Sequence, residues 1–107
     1  MQFVTEVHVD EQGRVDYVRW IQVDIDTGNA TGAPMLVPTI MVVDQIGRGR
    51  VATIFPGARD TARGPFLRAT VDATGREWIE TDNSGEDKRT LFDLPRLQLA
   101  PGERLEG

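Results

Sequence analysis

Cysteine is absent from this chain of 107 residues, and histidine occurs once, at His8. Without cysteine there is no disulfide, no thiolate catalysis and no cysteine-based zinc site. A single histidine excludes a multi-histidine metal site within one chain. No cofactor and no metal are implied by what remains. Lysine is nearly absent as well, since Lys88 is the only one among 12 basic residues. Long apolar runs are also missing. Thr5, Glu6, His8 and Asp10 interrupt the first ten positions, where a secretory signal needs about 7–15 apolar residues. Nothing approaches the roughly 18 apolar residues of a membrane span. The expectation is a cytoplasmic protein with no membrane contact.

What is present is enough for one domain. Apolar residues make up 39% and charged residues 27%, a balance that supports a core. The net charge is -5, from 17 acidic and 12 basic residues. A general nucleic-acid coat needs a basic face, so nucleic acid is a poor partner.

The charge is unevenly spread. Residues 1–43 and 69–107 are each net -4, whereas 44–68 is net +3. Arg48, Arg50, Arg59, Arg63 and Arg68 fall in that basic middle. Arginine pairs bidentately with phosphate or carboxylate, so the segment is a candidate site for a small anion or nucleotide. The simpler account is that the protein's own acids neutralise it.

The pattern along the chain predicts an α+β domain over residues 1–95, with 96–107 as a flexible C-terminal tail. Residues 2–9 alternate, with Phe3, Thr5, Val7 and Val9 on one face. A Gly turn leads into a second strand, with Val15, Tyr17, Ile21, Val23 and Ile25 on its apolar face. Val18 and Trp20 fall on the other. Residues 27–35 form a loop. Leu36–Gly47 reads as a short helix, with Pro38 in the first turn and Gly47 at the end. Three further strands follow: 51–55, 66–71 and 77–81. Leu91–Pro95 is an apolar patch that docks on the sheet. The expected order is β-β-α-β-β-β, about five strands in a mainly antiparallel sheet with the helix on one face. A small all-β barrel is the alternative if 36–46 is a strand.

Two motifs point to chemistry but sit in poor context. Asp26-Thr27-Gly28 matches the tripeptide of dimeric aspartic-type hydrolases, which share a proton between two aspartates. Asp24 breaks the apolar run such an aspartate follows, and a turn explains the residues as well. Gly47-Arg48-Gly49-Arg50-Val51-Ala52 has dinucleotide-fingerprint spacing, but it follows a helix and opens a strand, the reverse of the required order. Trp20 and Trp78 both lie on strands. On a shared exposed face they would form an interaction hot spot; otherwise they belong to the core.

Three stretches resemble a bacterial domain-of-unknown-function family of short single-domain proteins. They are Val4–His8 with Gly13–Val15 and Val18–Trp20, then Val42–Ile46 with Gly49, and then Trp78–Asp82 with Leu91–Pro95. The last fits an aromatic-Ile-x-Thr strand followed by L-x-x-L-P, with Glu80 where a basic residue is common. The resemblance implies an α+β fold with a short helix before a strand, and it implies no activity. The resulting expectation is a non-enzymatic module that binds a protein partner or itself. The anion site and the hydrolase stand as alternatives.

Overall fold

The computed structural model describes residues 1–55 and 64–105. Among the described residues, six strands, one helix and one 3-10 turn form an α+β fold. The strands are β1 (Gln2–Val9), β2 (Val15–Gln22), β3 (Met35–Pro38), β4 (Val51–Thr53), β5 (Leu67–Val71) and β6 (Glu77–Thr81). The helix α1 spans Thr39–Arg48, between β3 and β4, and the 3-10 turn spans Leu91–Asp93.

The strands make two sheets rather than the single sheet expected. One has the order β3-β2-β1-β4, and the other is the hairpin β5-β6. β4 runs parallel to β1, because α1 carries the chain from the β3 edge across to the opposite edge. An isolated bridge between Ala52 and Phe66 ties the two sheets together. Among the described residues no barrel closes. The predicted helix over 36–47 divides in two. The β-branched and apolar start pairs with β2 as β3, and the helix begins after Pro38. The helix continues through Gly47, and Gly49 caps it in an extended conformation.

The predicted faces of β1 and β2 are also corrected. Val4 and Val7 are fully buried, as is Val18, and Trp20 joins them in the core. Two β-bulges account for this. Val4 pairs with Trp20 and Glu6 with Arg19, leaving Thr5 over; His8 pairs with Tyr17 and Val9 with Val15, leaving Asp16 over. Each extra residue inverts the alternation that follows it. Ile25, expected on an apolar strand face, lies in an exposed turn.

Beneath the sheet, Val42 of α1 and Leu67 and Ile79 of the β5–β6 hairpin complete the core. Leu91 and Leu94 anchor the C-terminal stretch there, as the apolar patch predicts. A capping box between Thr90 and Asp93 holds their turn. Gly64 lies against Thr53 and Phe55 so closely that a Cβ would overlap both side chains.

The segment beyond residue 95, read from sequence as a tail, contacts the sheet. Val7 N–H donates to the Pro95 carbonyl at 3.1 Å, and Leu97 N–H donates to the Val7 carbonyl at 2.8 Å. It therefore takes over the edge of β1 that β4 covers only as far as Val4. Farther on, Arg19 donates to both oxygens of Glu103, at 3.0 and 2.7 Å, and pairs with Glu6 at 3.1 Å. The Arg19 guanidinium and the Ala100 N–H hold the Glu103 carboxyl down at about 2.

Two predictions follow from these contacts. Gly64→Ala is expected to destabilise the fold by about 1–3 kcal/mol through overpacking, read by denaturant titration. Because the Glu103 value is lowered on folding, its contribution is present above its ordinary range and is lost as pH falls toward 2. Amide NMR signals of 97–103 are expected to hold from pH 7 to 4 and to shift as pH approaches 2. In Glu103→Gln they are expected to be displaced at every pH.

Candidate functional site

The most organised side-chain cluster lies where the two hairpin tips meet. The β1–β2 tip reads Val9-Asp10-Glu11-Gln12-Gly13-Arg14, and the β5–β6 tip reads Val71-Asp72-Ala73-Thr74-Gly75-Arg76. Both are V-D-x-x-G-R, and both fold alike. Asp10 accepts from the N–H groups of Gln12 and Arg14; Asp72 accepts from those of Thr74 and Arg76. Gly13 and Gly75 supply the positive φ, 80° and 85°, that a side chain would resist.

The fifth residue of each turn, an arginine, is aimed at Trp78. The Arg14 guanidinium lies 3.9 Å from the ring centroid and that of Arg76 lies 4.2 Å from it. Both guanidinium groups are within cation–π range of the ring. Trp78 Nε1 donates to Asp72 Oδ2 at 2.8 Å, and Arg14 donates to the same oxygen at 3.1 Å. The Thr74 hydroxyl and the Trp78 N–H, with two backbone N–H groups, hold the Asp72 carboxyl far below the usual carboxylate range. Asp10 is lowered too, by the Arg14 and Gln12 N–H groups and by the charges of Arg76 and Arg14.

Beside this cluster is a cleft of about 420 Å³, lined by Arg14, Thr70, Trp78, Ile79, Leu91 and Phe92 among others. Asp72 has its oxygens filled by five donors, so it is no general base. Asn83, also on the cleft, is held by Thr81 and by the carbonyls of Asp87 and Arg89.

Among the described residues, the sequence-predicted site residues have separate partners. Trp20 and Trp78 are both buried, so they form no exposed aromatic pair. Arg48 is exposed and paired with Asp44 at 3.3 Å, and Arg68 pairs with Glu80 at 2.7 Å. Arg50 lies over the Phe66 ring at 5.0 Å. Arg59 and Arg63 lie outside the described residues. Asp26-Thr27-Gly28 forms an exposed turn, with Asp26 N–H donating to Asp24 Oδ1 and Gly28 N–H to the Asp24 carbonyl. His8 pairs with Asp16 at 2.6 Å across the bulge. Sequence reasoning missed Arg14, Asp72 and Arg76. The available signal was the repeated V-D-x-x-G-R at two hairpin tips.

A second feature is a strip rather than a cluster. From Thr27 to Val43 there is no charged residue; all 12 basic and 17 acidic residues lie outside it. The strip holds β3 and the first half of α1, and it exposes Met35 (58%), Ile40 (64%) and Met41 (47%).

Comparison with protein-family models, curated proteins and solved structures finds no match for the chain. No described helix is long and apolar enough to cross a membrane.

The cluster predicts its own cost of disruption. Trp78→Phe keeps an aromatic ring but loses the bond to Asp72 and part of the buried indole, an expected loss of about 1–3 kcal/mol by denaturant titration. Asp72→Asn keeps the shape and removes the charge facing Arg14. Its melting temperature is expected to fall, and more at low salt than at high salt.

Proposed function

We propose that the protein is a non-enzymatic interaction module, of the kind that binds a protein partner or itself. The observation that carries this reading is the uncharged strip 27–43 with Met35, Ile40 and Met41 exposed on it. Exposed apolar side chains gathered along one stretch of chain are a feature of contact surfaces. Two further facts support it. The polar groups of the Trp78 cluster are engaged with one another, which leaves that cluster structural. Arg48 and Arg68 are paired with the protein's own acids, which favours this reading over an anion site. The resemblance to a bacterial domain-of-unknown-function family is compatible with this role and adds no chemistry to it. A cytoplasmic location is part of the same proposal.

A photo-crosslinking residue placed at Ile40, in cells producing the protein, tests the reading. Adducts are expected at Ile40 and not at Glu11, an exposed charged position in the β1–β2 turn. No adduct at Ile40 overturns it.

A further inference from the structure

Backbone parity shows which groups the β5–β6 hairpin leaves at its outer edge. Asp82 N–H donates to the Phe66 carbonyl, and Asp72 N–H donates to the Arg76 carbonyl. Even positions of the hairpin are therefore its mutually bonded pairs. Trp78 and Glu80 direct their N–H and C=O groups at Thr70 and Arg68. Glu77, Ile79 and Thr81 direct theirs outward. No strand lies beside the outer edge of β6 among the described residues.

Other edges of the fold are covered or interrupted. β4 and residues 95–97 take up the second edge of β1, and Thr53 of β4 bonds to residues 64 and 65. β3 is preceded by Pro34 and ends in Pro38, which have no N–H to give. β6 contains no proline.

The cleft of about 420 Å³ runs along β6. Ile79, Glu80 and Thr81 line it, together with two segments that are not strand neighbours of β6, Gly13–Val15 and Thr90–Phe92. The side chain of Ile79 belongs to the core, and that of Thr81 donates to Asn83. What these two residues offer the cleft is their backbone. The charges there are matched already, Arg14 with Asp72 and Glu80 with Arg68. Phe92 adds an exposed ring.

These features select the occupant. Outward N–H and C=O groups at every second residue match the repeat of an extended backbone. Matched charges give a charged side chain nothing to pair with. A cleft of this size takes a short segment. A second copy's hairpin brings a neighbouring strand about 4.8 Å farther on, against the segments that bound the cleft.

We infer that the cleft binds an extended, uncharged peptide segment of a partner protein, which adds to β6 as a further strand. Alternate residues of the segment bond to Ile79 and Thr81, and an apolar side chain rests on Phe92. This site is separate from the strip 27–43 and does not depend on it.

Amide hydrogen exchange tests the edge in the protein alone. Ile79 and Thr81 are expected to exchange about tenfold faster than Trp78 and Glu80. Peptides of about seven residues, selected on the intact protein from a random phage-displayed library, then serve as probes. A selected peptide is expected to slow exchange at Ile79 and Thr81. Methylating its backbone nitrogens at alternate positions is expected to weaken binding about tenfold in one register and little in the other. Phe92→Ala is expected to weaken it about tenfold with the melting temperature unchanged. Equal exchange at the four amides of the protein alone overturns the inference, as does a library that yields no binder. So does a selected peptide that leaves Ile79 and Thr81 unprotected, or that is insensitive to both methylation registers or to Phe92→Ala. Cross-linking at Ile40 decides the reading of the strip by itself, so either site can fail while the other stands.

Discussion

The packing of Arg14 and Arg76 on the Trp78 ring is the contact on which the arrangement depends. The four-stranded sheet and the β5–β6 hairpin are separate hydrogen-bonded units, joined among the described residues by the Ala52–Phe66 bridge and the bonds of Thr53 to residues 64 and 65. A two-stranded hairpin is marginal by itself. Here its tip is clamped to the tip of β1–β2 by a ring, two guanidinium groups and one carboxylate. Asp72 serves both sides, closing its own turn and accepting from Arg14 and Trp78. The helix α1, lying between the sheet and the hairpin, is held in place by the same closure.

Much of the fold was legible in the residues. The α+β class, the strand at 77–81, the glycine turns of both hairpins and the docking of Leu91–Pro95 all follow from patterns that local physics enforces. The sidedness of β1 and β2 was not legible. Strict alternation assumes one residue per step of the ladder, and Thr5 and Asp16 break that count. Nothing about a threonine or an aspartate in a strand announces a bulge. β3 was hidden for another reason. Its four residues run straight into a helix, and propensity over the combined stretch averages a strand with a helix into one ambiguous element.

The site was less legible than the fold. Arginines were counted where they are dense, between positions 44 and 68, yet density along the chain does not bring side chains together. The two arginines that do converge, Arg14 and Arg76, are separated in sequence and joined by topology. Trp78 is buried by cations as well as by apolar neighbours. The uncharged run from Thr27 to Val43 was visible as composition. Its meaning needed the fold, because only that shows Met35, Ile40 and Met41 exposed.

The V-D-x-x-G-R turns bear on how the chain folds. Each hairpin closes over a few residues, and its aspartate needs only its own turn's N–H groups, so both tips can form early and independently. The bond from Arg14 to Asp72 spans 58 positions. Its loop-closure entropy is lost only when the two finished tips meet, after the intervening helix has formed. The order of assembly is thus set by two local turns that form first and one distant ring contact that closes last.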